Sequence, residues 1–322
     1  MRVIRIGDGP IIGPDSHPSI GTNIQGPSVI EVPDWVENPL GRFYCYFADH
    51  EGIYIRLAFA DRPEGPWTVH PPGCLQLADS GFPTEPPAAS EEELEWLRRS
   101  YEEFLTSADP GYPSTYDMTP PHIASPDVHV DRASQRVVMY LHGLDALEFQ
   151  VTRAAVSTDG LHFESRSEVL APSYFRAFHH EDVVYALTMP GQFHRSIDGL
   201  SDFEAGPALF EPTMRHSAVI IRDDVLHVLW TRVGDAPEAI LHTPIDLTSD
   251  WTDWTMGPTV EVLRPNHDWE GADAPNEPSI RGLAARHVNQ LRDPAILDQG
   301  NELWLFYAVA GESGIAVARL EL

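Results

Sequence analysis

Five times along the chain, a short alternating segment opened by polar residues turns into a continuous run of aromatic and β-branched residues. In the clearest copy, residues 121–143, Ser125 to Val130 alternate, Asp131 to Gln135 form a turn, and Arg136 to Leu141 form the run, which ends at His142 and Gly143. This pattern predicts an antiparallel strand pair. A pair that goes out and returns brings its two ends to one side, so His122, Ser125 and His142 are expected to be neighbours. The other copies run from Gly26 into Phe43 to Phe47, from Arg176 into Val183 to Leu187, from Arg215 into Leu226 to Trp230, and from Arg292 into Leu303 to Tyr307.

Each pair is followed by a third strand-like segment: Tyr54 to Ala60, Gln150 to Thr158, Gln192 to Ser196, Ala239 to Thr243 and Gly314 to Leu320. Several units add a fourth after a turn, opened by Trp67 and Phe163. Repeats of roughly 40 to 50 residues with four strands each are the pattern of propeller blades. The expected fold is therefore all-β, a five-bladed β-propeller forming one domain over residues 1–322. The last unit lacks a fourth strand and the chain begins with an unpartnered one, Val3 to Ile6. The N-terminal strand is thus expected to close the last blade and remove two open edges.

Two stretches interrupt the repeat. Residues 71–120 form an insertion between blades one and two, in which Ser90 before Glu91, Glu92 and Glu93 starts a helix that carries Leu94, Leu97, Tyr101 and Leu105 at helical spacing. Its tail offers Tyr112, Tyr116 and Asp117 as candidates for a substrate wall. Residues 263–290 form a long loop rich in carboxylates and histidines, with His267, Asp268, Trp269, Glu270, Asp273 and Glu277, and loops of this length in a compact domain are usually functional.

Composition narrows the partners. The 322 residues contain 49 acidic and 21 basic side chains, a formal net charge of −28, and no lysine. Nucleic acid and anionic membrane surfaces are poor partners for such a chain. No segment has the length of a membrane span or the apolar core of a signal peptide, and the expectation is a cytoplasmic protein. Its two cysteines, Cys45 in a core strand and Cys74 in a loop after blade one, lack metal-ligand spacing and are expected to stay reduced. Oligomeric state is open.

The polar residues at inner-strand starts and on returning strands converge on the predicted axial funnel. Gln25, His50, Ser125, His142, Arg176, Arg215, Arg232 and Arg292 are the candidate substrate-binding residues. The arginines suit an anionic group, because guanidinium binds carboxylate and phosphate bidentately. Asp293, Glu312, Glu270, His122 and His216 are the candidate acid and base residues, with the guanidinium of Arg292 expected to keep Asp293 ionised. His122, His142 and His216 together would offer a divalent metal a site at the axis.

The phrases GPSVI at Gly26, SPDVHVD at Ser125, RHSAVI at Arg215 and RDPAI at Arg292, with the turns after Ser157 and Arg195, resemble the five-bladed β-propeller glycoside hydrolases. Family 43 is the nearest type, and families 32, 62, 68 and 130 share its architecture. The resemblance implies a carbohydrate-active enzyme, glycoside hydrolase-like, acting on a small glycoside in the funnel, and the arginines add the expectation that this glycoside is anionic (uronate or sulfated). It does not supply the catalytic set. Where family 43 places carboxylates at the starts of blades one, two and three, this chain has Gln25-Gly26-Pro27, Ser125-Pro126 and a carboxylate-free stretch over residues 172–178. Three alternatives stay open: an inverting glycoside phosphorylase, a histidine-dependent lyase and a non-catalytic sugar-binding propeller.

Overall fold

In the computed structural model, which describes residues 1–106, 120–147 and 149–322, the aromatic runs become the middle strands of five antiparallel sheets. The chain opens with β1 (Arg2–Arg5), which is held over for the last blade. Blade one comprises β2 (Gln25–Glu31), β3 (Phe43–Ala48), β4 (Tyr54–Ala60) and β5 (Thr68–Gln76). Helix α1 (Glu91–Thr106) follows. Blade two comprises β6 (Ile123–Asp131), β7 (Arg136–Ala146), β8 (Phe149–Ser157), β9 (Glu164–Ser165) and β10 (Ala171–Pro172). Blade three comprises β11 (Arg176–His180), β12 (Val183–Thr188), β13 (Gln192–Ser196) and β14 (Glu204–Ala208). Blade four comprises β15 (Met214–Arg222), β16 (Val225–Arg232), β17 (Ile240–Asp246), β18 (Thr255–Met256) and β19 (Val260–Leu263). Blade five comprises β20 (Arg292–Asp298), β21 (Leu303–Ala308) and β22 (Ile315–Glu321), and β1 completes it.

The runs are continuously apolar because a blade buries both of its faces. On β3, Phe43, Cys45 and Phe47 pack with Trp304 and Phe306 of blade five, while Tyr44 and Tyr46 pack with Met139 and Phe163 of blade two. On β7, Val137, Met139 and Leu141 face blade one, and Val138 and Tyr140 face Phe175 and Val184 of blade three. The five apolar clusters correspond to the five interfaces between adjacent blades. Each fully buried Leu or Phe contributes about 2 kcal/mol by removal from water.

Closure occurs as the sequence predicts. Strand β1 pairs antiparallel with β22, in the register Arg2 with Glu321 through Arg5 with Ala318. A side-chain contact reinforces it, since Arg5 Nε donates to Glu270 Oε1 at 2.8 Å. Tyrosines link neighbouring blades in a repeated way: Tyr46 Oη donates to Gly160 O at 2.9 Å and Tyr140 Oη to Gly199 O at 2.8 Å.

The insertion differs from expectation at its start. Strand β5 runs on to Gln76, so Cys74 lies in a strand and not in a loop. A register shift between Ile55 and Leu57 lets this edge strand carry Pro71 and Pro72, which lack the donors a regular ladder needs. Both cysteines are buried and unpaired. The helix begins as its capping box predicts, with Glu93 N donating to Ser90 Oγ at 3.2 Å and Ser90 N donating to Glu93 Oε2 at 2.7 Å. Tyr112, Tyr116 and Asp117 lie outside the described residues.

Candidate active site

Each blade presents one residue to the axis through a left-handed backbone turn. At the starts of β2, β6, β15 and β20 these residues are Gly26 (φ 62°), Ser125 (φ 46°), His216 (φ 39°) and Asp293 (φ 45°), and the strand register shifts at all four. A bulge of this kind re-aims a side chain out of the pleat, and it leaves the next position free for Pro27, Pro126 or Pro294. In blade three the corresponding residue is Tyr174 (φ 56°), just ahead of β11. The strained conformation of such non-glycine residues costs on the order of 1 to 3 kcal/mol each and tends to mark functional sites.

These five residues form a ring floor. A Cβ on Gly26 would stand 3.1 Å from Ser125 Cα, so any side chain there would have to push Ser125 back by a few tenths of an ångström. The Tyr174 ring lies 5.0 Å from that of His216, and His216 Nε2 lies 3.5 Å from Asp293 Oδ1. Among the described residues, Gln25 Oε1 and Nε2, Ser125 Oγ, His142 Nδ1, His216 Nδ1 and both carboxylate oxygens of Asp293 are buried without a hydrogen-bond partner. Buried polar groups are normally paired, so this concentration of unpaired ones fits a polar ligand.

His50, His122, His142, Arg215 and Arg281, with Tyr174 and His216 of the floor, line a cavity of about 50 Å³. His122 and His142 are neighbours as predicted, with ring centroids 6.1 Å apart and edge-on. The Tyr174 ring rests on both His142 and His216, at 4.6 and 5.0 Å. The three histidines therefore pack as rings and do not converge as ligands, and no group of three or more His, Cys, Asp or Glu able to hold a metal occurs among the described residues.

The carboxylates behave differently from one another. Burial and the charge of Glu312 push Asp293 up to about 7, against the pull of Arg292, Arg176 and Arg215. Arg292 favours the ionised form of Asp293 as expected, but burial and Glu312 outweigh it, and Arg292 Nη1 itself donates to Glu312 Oε1 at 2.7 Å. Burial opposes ionisation of Glu312 as well, but His50, Arg292 and Asn23 outweigh it and hold this carboxyl well below the usual range. His50 Nδ1 lies 3.3 Å from Glu312 Oε1, and Asn23 Nδ2 donates to Oε2 at 2.7 Å. Burial, reinforced by Arg215 and Arg292, keeps His216 neutral, and burial with His122 does the same for His142.

Several predicted site residues are occupied elsewhere. Glu270 accepts from Arg5 Nε at 2.8 Å, Asn266 N at 2.8 Å and Tyr307 Oη at 3.1 Å, within a 3₁₀ turn that points it at the closing strand, so it is a structural clamp and not a cavity residue. Arg232 pairs with Glu211 at 2.7 Å on a part-exposed surface. Arg215 forms a bidentate pair with buried Glu238, with Nε at 2.9 Å from Oε1, and donates to Ile280 O. Arg292 holds Gln290, Gly282 O and Glu312. Arg176 donates to Ser217 O at 2.8 Å and lines the axial channel further along the inner strands with Asp127. Asp127 faces the neighbouring blade, accepting from Ala177 N at 2.7 Å and pairing with His129. These arginines stand in the ring wall, where Arg215 also lines the cavity and Arg176 keeps one buried nitrogen, Nη2, without a partner among the described residues.

Sequence reasoning missed Tyr174, Asn23, Glu238 and Arg281. Glu238 had one visible signal, a lone carboxylate directly ahead of the apolar run Ala239-Ile240-Leu241.

No family model matches the chain. It is 35% identical over 324 residues to an uncharacterized protein of Acanthamoeba polyphaga mimivirus, across 92% of this chain and 83% of that one. Among solved structures it resembles a GH43 β-xylosidase/α-arabinofuranosidase from a compost microbial metagenome in complex with xylotriose (TM-score 0.59, 11% identity, 99% of this chain and 95% of that one). It also resembles a thermostable family-43 glycoside hydrolase (TM-score 0.54, 14% identity, 94% and 90%) and a GH43_1 enzyme from Xanthomonas citri (TM-score 0.54, 11% identity, 94% and 88%). At these identities the likeness is one of fold, and it matches the five-bladed architecture read from the sequence.

Proposed function

The chain belongs to one family with the uncharacterized mimivirus protein, and on that premise we propose that it is a glycoside hydrolase-like enzyme acting on a small glycoside in the axial funnel. The observation that carries this reading is the division between two buried carboxyls, Asp293 pushed up to about 7 and Glu312 held well below the usual range. Glycoside cleavage needs one protonated and one ionised group, and a pair driven apart by its surroundings supplies them. Asp293 is the proton donor in this reading. Its two oxygens are buried without a hydrogen-bond partner among the described residues, directly behind His216, which lines the cavity. Glu312 stays ionised and holds His50 at the cavity wall as the basic partner of the pair. Ser125, Gln25 and His142 hold sugar hydroxyls. The small cavity favours the end of a ligand over the middle of a polymer.

A second reading follows from the histidine-lined wall. His122, His142 and His216 surround the cavity, and a neutral imidazole suits abstraction of a proton next to a carboxylate-bearing carbon. That would make the protein a lyase. A panel of neutral and acidic glycosides, with and without phosphate, separates the possibilities. Reducing sugar without phosphate supports hydrolysis, and absorbance of an unsaturated sugar supports elimination. Strict phosphate dependence points to a phosphorylase. Binding without any product would leave a sugar-binding propeller and end the enzymatic reading.

A further inference from the structure

Among the described residues, Arg281 is a cation at the cavity wall without a carboxylate partner; Arg176, whose buried Nη2 has no partner, is another, but it lines the channel along the inner strands and not this cavity. Arg281 stands in the loop between β19 and β20, half-buried, and lines the cavity beside His142, Tyr174, Met189 and His216. Arg56, Arg215 and Arg292 are each paired with a carboxylate, Asp49, Glu238 and Glu312 respectively. Arg281 has no carboxylate at ion-pair distance among the described residues. Its Nη2 donates to Pro212 O at 2.7 Å, and its Nη1 lies 3.2 Å from Met189 Sδ, a weak acceptor. These contacts fix the guanidinium in place without neutralising it.

A half-buried guanidinium without a counterion is costly, and more so here, where Arg215 stands nearby. In a chain with 49 carboxylates and 21 arginines, counterions are abundant, yet none is placed at this position. Burial and the charge of Arg215 lower the pKa of Arg281 to about 10, against the pull of Tyr174 and Glu238, so it remains cationic at neutral pH and gains from any anion brought to it.

We propose that Arg281 binds an anionic group of the ligand, a carboxylate or a sulfate ester, and so selects an acidic glycoside for this funnel. The inference rests on reading the funnel as a glycoside site. It moves the anion contact from Arg176, Arg215 and Arg292 to a residue supplied by the long loop. A guanidinium carries five N–H donors, so the two contacts of Arg281 to Pro212 O and Met189 Sδ leave donors over for the oxygens of a carboxylate.

The test is calorimetric binding of matched methyl glycosides: glucoside with glucuronide and galactoside with galacturonide in both anomers, and galactoside with its 6-sulfate. Wild-type protein should bind at least one acidic member about tenfold or more tightly than its neutral partner, as expected of a charge-assisted hydrogen bond. Arg281→Gln should abolish that preference and change neutral binding less than about twofold, while Arg281→Lys should restore part of it. The uronate and sulfate arms identify the source of the charge. No acidic preference anywhere in the panel, or equal losses for both members of a pair in Arg281→Gln, would overturn the proposal. Cleavage is scored separately. Cleavage of glycosides with no acidic preference in wild-type binding removes this inference and leaves the glycosidase reading standing. An Arg281-dependent acidic preference without cleavage does the reverse.

Discussion

His216 Nε2 lies 3.5 Å from Asp293 Oδ1, at ion-pair distance but too far for a good hydrogen bond, and both side chains are buried. Burial with Arg215 and Arg292 holds the imidazole neutral, so a proton on this pair resides on the carboxyl. Asp293 is thereby kept as an acid at a pH where a free aspartate has long since ionised.

The pH dependence of turnover follows from this arrangement. With Asp293 at about 7, kcat/KM should fall as pH rises through that value, because the donor loses its proton. Glu312 remains ionised throughout, so its own titration adds no limb near neutrality. A rate that climbs through pH 7 would assign Asp293 the opposite role.

Replacing Asp293 by Asn should lower turnover at least about a hundredfold while preserving ligand binding. Stability should move the other way. The folded chain holds this proton more tightly than the unfolded one, so the stabilisation is full below the ordinary value of 3.8 and is lost as pH rises through about 7. The Asn variant cannot ionise, and at pH 8 it should melt higher than the parent, by a difference on the order of 3 kcal/mol. Near pH 4 the gain should disappear. Paired thermal melts at the two pH values check the sign.

Glu270 offers a contrast between two carboxylates that both entered the candidate set. Glu270→Gln weakens the contact to Arg5 that fastens the closing strand, and breaking such a part-buried pair should cost about 3 kcal/mol. Turnover per folded molecule should be unchanged. Measuring melting temperature and rate on one preparation distinguishes a clamp from a catalyst.

Gly26→Ala probes the ring floor without touching a polar group. Its φ of 62° disfavours a side chain, and an added methyl, 3.1 Å from Ser125 Cα, would have to push Ser125 back. The variant should lose about 1 to 3 kcal/mol and displace Ser125, with a loss of ligand affinity larger than that from Ser125→Ala. Wild-type affinity in Gly26→Ala would show that blades one and two do not shape the site.

How much of this was legible in the sequence depended on whether the cause was local. The runs at Phe43 and Leu303 announced middle strands because both faces of a blade must be apolar, and the Pro phrases at Pro27, Pro126 and Pro294 marked the bulges. Tyr174 carried no such phrase, since Phe175 follows it and β11 shows no register shift, so the axial residue of blade three was assigned to Arg176. The partners of the arginines were illegible for another reason. Glu238 meets Arg215 across 23 positions and Glu270 meets Arg5 across 265, distances at which neither periodicity nor spacing carries information. Arg281 sits in a loop without period, and its meaning emerges only from the charge that is not beside it.

The left-handed step at each inner-strand entrance separates what builds the ring from what occupies its centre. The interfaces between blades are held by residues on the strand faces, while the side chain at each step points to the axis and belongs to none of the five apolar clusters. One glycine, one serine, one tyrosine, one histidine and one aspartate occupy equivalent steps here. Wherever room allows, the occupant of such a step is interchangeable at modest cost to the barrel around it. The polar character of the floor can therefore change from blade to blade while the apolar walls between blades stay as they are.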